Sequence, residues 1–369
     1  MKHQRIRRVS LCTVVLLIFM LATASAGPSE KVWVVTALPA ASSWSGTFGN
    51  DVSNSGTIGG GWVDANGDNH AAYWRSGHAY DLETEIGLPA DQEGGTSNVL
   101  TINNHGLMGG LATSEDGVEV AVLWDVKHGE VYDMHPGDGY VASNIRGVNA
   151  RGDATGIAVR LVTYPDGTTD YVPQPYFWPK NDDGLELPVG SGVGGFGHGV
   201  NASGTVAGSY YPPWDYSRAA VWTKDADGDY EMTDFHALLD DDTLWGSEAF
   251  DVSENGRVVG IAFGVGDSGL FFITWSWTAS DGIEILDDDD EGLSFVWKTN
   301  GKYIAGSVGV VGYSASSPAV WVNGVLEVLP SLNDLYYSEA SSVSSNGLVV
   351  GYSLTESFGG PYGWYAEKK

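Results

Sequence analysis

The nine residues Val200-Asn201-Ala202-Ser203-Gly204-Thr205-Val206-Ala207-Gly208 decide the fold of this 369-residue chain. They follow a short rule: an apolar residue, Asn or Ser, two variable residues, Gly, three variable residues, Gly. The rule recurs at 52–60, 102–110, 148–156, 252–260 and 343–351, and at 297–306 with one extra residue. From Gly60 to Gly351 is 291 residues over six intervals, so one repeat is about 48 residues long.

Each position has a mechanical meaning. Asn or Ser bonds the backbone two residues on and starts a turn. The first Gly takes the left-handed conformation that ends a three-residue hairpin loop. The motif is therefore the tip of a hairpin between a first and a second strand. A third strand follows, usually ending in Trp, as in Ala71-Ala72-Tyr73-Trp74 and Ala121-Val122-Leu123-Trp124. A turn such as Ser76-Gly77 or Asn323-Gly324 leads to a fourth strand, as in Leu326-Glu327-Val328-Leu329. Four antiparallel strands in a repeat of this length make a propeller blade. The expected fold is all-β: a seven-bladed β-propeller of four-stranded antiparallel blades over residues 30–369. The seventh repeat stops after its third strand, at Trp364-Tyr365-Ala366, while Val32-Trp33-Val34-Val35 is an orphan strand at the start. The orphan is expected to pair with the last blade and close the ring.

Residues 1–26 read as a signal peptide. Lys2, Arg5, Arg7 and Arg8 precede the apolar run Leu11 to Ala22, and Ala24-Ser25-Ala26 supplies small residues for cleavage. The run is too short to span a bilayer comfortably, so no membrane insertion is expected after cleavage. The expected location is secreted, extracellular or on the cell surface. Cys12, the one cysteine, lies in this leader, so the mature chain has no disulfide or cysteine metal site. Losing the four basic leader residues takes the net charge from −29 to −33. Such a surface repels nucleic acid and anionic lipid.

The Val-Asn-x-x-Gly-x-x-x-Gly hairpin followed by an Ala-x-x-Trp strand resembles the HAF repeat of extracellular bacterial and archaeal proteins. The resemblance covers nearly all of the mature chain, although the family's His-Ala element stands only at His70-Ala71. It implies secretion and a propeller-like fold. It supplies no settled chemistry and no functional residues to carry over.

The strand order puts tight hairpins on one face and long, variable loops on the other, where propellers usually place function. The loop face carries the candidate ligand-binding residues Trp44, Tyr140, Tyr210, Tyr211, Trp214, Asp215, Tyr216, Trp245, Tyr336 and Tyr337, with further aromatics at Tyr313 and Phe358 and an acidic run at Asp287 to Asp290. Aromatics beside carboxylates suit sugar rings and their hydroxyls. Two prolines stiffen Tyr210-Tyr211-Pro212-Pro213-Trp214-Asp215-Tyr216, which makes it the leading contact segment. Asp64, Asn66 and Asp68, and likewise Asp225, Asp227 and Asp229, alternate oxygens around a Gly as calcium loops do, but ordinary turns share the pattern. No other cofactor is indicated.

No zinc-ligand spacing or nucleophile elbow stands in the sequence, and no Ser-His-Asp triad can be picked out of it. Arg146 and Arg218 are the few bases near the loop face, too few for a phosphate or sulfate site. His198 lies on the fourth inner strand and could face the channel. The expected function is a non-catalytic extracellular binding or adhesion module, monomeric, for a polysaccharide or a cell-surface partner. The alternatives are a secreted glycoside hydrolase or lyase using paired carboxylates, which need to stand about 5–10 Å apart, and a structural surface protein. Two carboxylates converging in the channel mouth, with one of them desolvated, would favour the enzyme; scattered, solvated acids would favour binding.

Overall fold

The computed structural model describes residues 31–369, apart from 93, 115, 181, 267–268, 288–291, 311–314 and 357–359. The expected leader therefore lies outside the described residues, as do Asp288 to Asp290, Tyr313 and Phe358. Trp33–Lys369 form one compact unit. Among the described residues there are 28 strands, one four-residue helix (Leu82–Glu85) and three 3-10 turns. No helix among them is long and apolar enough to cross a membrane.

The strands form repeated four-stranded antiparallel sheets, the blades of a β-propeller. The first strand of each blade is innermost: Gly46–Val52, Thr96–Ile102, Ala142–Val148, Gly194–Val200, Leu244–Val252, Gly292–Thr299 and Tyr337–Val343. These seven touch in succession, and the seventh touches the first. The strand Trp33–Ala37 pairs antiparallel with Tyr362–Lys368, the third strand of the last blade, with Trp33 opposite Lys368 and Ala37 opposite Trp364. Hydrogen bonds also join the last blade to the first: Ser342 Oγ donates to Asp51 Oδ1 at 2.6 Å, and Ser345 N to Asn54 Oδ1 at 2.7 Å.

The motif residues earn their recurrence in three ways. The first Gly of every copy has positive φ, from +81° at Gly56 to +93° at Gly152. The second Gly lies under a carbonyl of the inner strand. A Cβ on Gly208 would stand 2.0 Å from Phe196 O, and the other six copies make the same approach at 1.9 to 2.1 Å. The Asn does two jobs. Asn149 Oδ1 accepts from Arg151 N (2.9 Å) and Asp153 N (3.0 Å), which caps its own turn. Its Nδ2 donates to Asn201 O (2.9 Å) in the next blade. Asn103 reaches Asn149 O, and Asn201 reaches Ser253 O, in the same way. Where Ser replaces Asn, as at Ser253, the turn cap remains (Arg257 N to Ser253 Oγ, 3.0 Å).

Packing between blades is made by the third strands. Trp124, Trp222 and Trp321 have no exposed surface. Trp74, Trp124, Trp222 and Trp321 donate their indole N–H to Pro39 O, Gly87 O, Pro188 O and Leu286 O, carbonyls in or following the fourth strand of the preceding blade. Trp33–Ala37 thus occupies the fourth-strand place of the blade before Trp74. A second latch uses serines: Ser97, Ser143 and Ser247 accept from Ala71 N, Ala121 N and Ala219 N in the preceding blade. Their hydroxyls also bond Glu83, His135 and His236, which places these three side chains in structure rather than chemistry.

Candidate functional site at the ring axis

Every inner strand carries a β-bulge near its end, two residues before the motif's apolar residue in six copies and at Trp297 itself in the sixth. The register shifts between Gly49 and Asp51, Val99 and Thr101, Ile145 and Gly147, Gly197 and Gly199, Ala249 and Asp251, Val296 and Lys298, and Ala340 and Ser342. A bulge leaves one residue unpaired and re-aims its side chain. The freed residues are Asn50, Leu100, Arg146, His198, Phe250, Trp297 and Ser341, one per blade at the innermost radius. All are partly exposed between buried neighbours.

Four of them form a continuous arc. Arg146 Nη1 donates to His198 Nδ1 at 3.3 Å. The His198 ring stands 5.4 Å from Phe250, and Phe250 stands 5.1 Å from Trp297. Arg146 also lies 5.0 Å over the Phe196 ring and donates through Nε to Asn144 Oδ1 at 3.1 Å. Because the guanidinium can only donate, Nδ1 of His198 is the acceptor and its proton sits on Nε2. Burial and the adjacent Arg146 hold His198 well below the usual histidine range, so it is neutral.

Two carboxylates occupy equivalent positions one layer toward the loop face, Glu248 and Glu339. Each is two residues before a bulge residue. Burial raises the pKa of both. Glu248 accepts from Ser217 Oγ at 3.0 Å, and Glu339 accepts from Tyr337 Oη at 3.0 Å. Tyr211, packed edge-on 5.6 Å from Phe196, is pushed up to about 12 by burial and by Glu248.

The opposite end of the axis is ionic. A 330 Å³ hollow at the hairpin face is lined by Asp51, Asp251 and Lys298 among the motif residues. Lys298 Nζ lies 3.8 Å from Asp51 Oδ2, two blades away around the ring. Asp51 also accepts from Thr101 Oγ1 and Ile102 N, so its oxygens are committed to joining blades.

The aromatics expected on the loop face do not form one surface. Tyr211 and Tyr337 turn toward the axial layer, as their contacts with Phe196 and Glu339 show. Tyr210 is buried and donates to Asp234 Oδ2 at 2.9 Å. Trp214 is fully exposed with φ +64°, and Asp215 pairs with Arg218 at 2.8 Å. Tyr216 stacks on Trp245 at 5.5 Å, and Trp44 stacks on Trp62 at 5.1 Å. Tyr140 bonds Glu186 at 2.9 Å, and Tyr336 lines a small 280 Å³ hollow. The segment 210–216 is therefore divided between core, axis and solvent.

The Asp-rich turns cap themselves. Asp64 Oδ1 accepts from Asn66 N and Asp68 N, and its Oδ2 from Asn66 Nδ2. Asp225 Oδ1 accepts from Asp227 N and Asp229 N. Among the described residues no group of three or more His, Cys, Asp or Glu side chains is placed to hold a metal.

No protein-family model matches the chain, and no curated protein matches it by sequence. Solved structures do match by shape. A puromycin-hydrolyzing peptidase of Mycobacterium tuberculosis aligns at TM-score 0.58 and 12% identity, over 92% of this chain and 56% of that one. An oligogalacturonate lyase solved in complex with manganese aligns at TM-score 0.53 and 12% identity, over 92% of this chain and 97% of that one. An ancestral GH74 enzyme aligns at TM-score 0.51 and 12% identity, over 88% of this chain and 48% of that one. The chain spans about half the length of the peptidases it resembles (56% and 51%). At such identities the likeness is one of fold: the chain is a β-propeller.

Proposed function

We propose that this chain is a carbohydrate-active propeller, a glycoside hydrolase or lyase whose proton-transfer groups are Glu248 and Glu339. The observation that carries this reading is their shared position at the inner end of the loop face, with the pKa of both raised by burial. A carboxylic acid that keeps its proton toward neutral pH is what general-acid catalysis on a glycosidic oxygen requires. The arc Phe250–Trp297 with Phe196 offers ring faces for a sugar beside them. The likeness to an oligogalacturonate lyase and a GH74 enzyme supports the reading only in that propellers of this shape host such chemistry. Secretion through the leader at 1–26 and kinship with HAF-repeat proteins belong to the same proposal and rest on sequence.

The test is a cleavage screen of the 27–369 protein on plant, algal and microbial polysaccharides, read as new reducing ends and as absorbance of an unsaturated product. Wild type is expected to cleave at least one class, and Glu248→Gln and Glu339→Gln each to lose about 100-fold or more while melting no lower than wild type. The second reading, a non-catalytic binding module, draws on the exposed Trp214 and the stacked Tyr216–Trp245 pair. Tight binding with no cleavage of any substrate would select it.

A further inference from the structure

Arg146 is an anomaly in this fold. Its guanidinium is desolvated enough to lower its pKa. Yet its two hydrogen-bond partners, Asn144 Oδ1 and His198 Nδ1, are both neutral. Glu119 and Glu248 act on it only through space. Asn144 stands between it and Glu119, donating to Glu119 Oε1 at 2.7 Å. Arg160, Arg218 and Arg257, by contrast, each reach a carboxylate directly at 2.6, 2.8 and 3.4 Å. A buried charge without a direct partner is destabilising.

The same layer holds further unmet demand. His198 Nε2, Trp297 Nε1 and Ser341 Oγ are all buried with no hydrogen-bond partner. A buried donor left without an acceptor is destabilising as well. The tautomer fixed by Arg146 makes His198 Nε2 a donor, and indole nitrogen can only donate. The unmet groups of blades four and six are thus donors only, and with the Arg146 guanidinium, which has no direct carboxylate partner, they lie on one arc through the Phe250 ring. What satisfies them is an acceptor-rich group with negative charge. A carboxylate offers about four lone-pair sites and matches the planar guanidinium.

We infer that the bulge layer binds the carboxylate of an acidic sugar, with Arg146, His198 Nε2 and Trp297 Nε1 as its donors. This names the substrate class of the reading above and rests on it. Sugar is favoured over other carboxylates because the arc supplies ring faces at Phe250 and Trp297 beside the donors. Glu248 and Glu339, whose pKa burial raises, stand one layer outward, where adjoining hydroxyls would lie. The protein's own charge of −29, more negative without the leader, opposes a polyanion at long range. That repulsion is screened beyond about 8–10 Å at physiological salt, so the site is suited to one acidic residue seated at the axis.

The test is calorimetric titration of the 27–369 protein with tri-galacturonate, with its carboxyl-reduced neutral counterpart, and with a carboxylate-terminated tripeptide. The acidic sugar is expected to bind at least tenfold tighter than the neutral one. Arg146→Gln should abolish that preference without lowering the melting temperature, because it removes an unpaired buried charge. Trp297→Phe keeps the ring, loses one donor and should weaken the acidic sugar several-fold. Equal binding of acidic and neutral sugars, unchanged by Arg146→Gln, overturns the inference while leaving the carbohydrate reading intact. A preference for the peptide, or a large fall in melting temperature for Arg146→Gln, also overturns it. No binding and no cleavage of any glycan overturns the reading beneath it.

Discussion

Asn149 is where the repeat motif can be weighed most directly. Its side chain is buried, caps its own turn through Oδ1, and reaches Asn201 O of the next blade through Nδ2. Asn149→Ala deletes the two cap bonds and the bridge, and also an Nδ2 bond to Asp153 Oδ2 at 2.8 Å. A net hydrogen bond is worth about 1 kcal/mol, and some turn amides regain water, so the expected loss is about 3 kcal/mol. Asn149→Ser keeps a cap, as Ser253 does in its own blade, but is too short to bridge, so it should lose about 1–2 kcal/mol. Urea unfolding followed by tryptophan fluorescence measures both through the midpoint at constant slope. The expected order is wild type, then Asn149→Ser, then Asn149→Ala. An alanine variant within about 0.5 kcal/mol of wild type, the ordinary range for an uninvolved surface change, would refute the reasoning. Serine falling as far as alanine would refute the separate value of the cap.

Three further predictions concern packing, protonation and metal. Gly208→Ala places a methyl 2.0 Å from Phe196 O, so it should cost about 3 kcal/mol or more or prevent folding, whereas Gly67→Val, where nothing lies within 4 Å but φ is +96°, should cost only its backbone strain, about 1–2 kcal/mol; melting curves compare them. Glu248 has a folded pKa raised above its unfolded value of about 4.5, so its folded state holds the proton more tightly. Its contribution therefore worsens as pH rises through and above that window. Glu248→Gln should melt higher than wild type at pH 8, with the gap closing by pH 4; a gap that widens on acidification would contradict the assignment. Because Asp64 and Asp225 already satisfy their own turn amides, chelator should leave the melting temperature unchanged, and Asp64→Ala should lower it slightly through the lost cap. Destabilisation by chelator that calcium reverses would show these turns to be metal loops.

The parts legible in the sequence were those whose chemistry is local. Gly204 and its counterparts announce a left-handed turn, and Asn201 announces its cap, because both act within five residues. The resemblance of Val32–Val35 to a fourth strand matched its pairing with Tyr362–Lys368 because the repeat itself shows which strand the last blade lacks, however far apart the two lie in the chain. The bulge was not legible: an extra residue in a strand shows only once the partner strand fixes the register. Arg146 therefore read as a loop-face base, when the bulge turns it into the arc at the axis. Glu248 and Glu339 were passed over because one acid in an apolar strand carries no periodic signal. The strand alternation of Tyr210 and Tyr211 and the positive φ of Trp214 separate side chains that are adjacent in sequence.

The account's central claim is that the axial bulge layer, rather than the outer loop surface, is where this protein meets its ligand. A crystal structure of the Glu248→Gln protein with an acidic oligosaccharide tests this most directly. The account predicts a carboxylate seated against Arg146, His198 Nε2 and Trp297 Nε1, with the sugar extending toward Glu339. A sugar held on Trp214 or the Tyr216–Trp245 pair, with the axial donors unengaged, would contradict it.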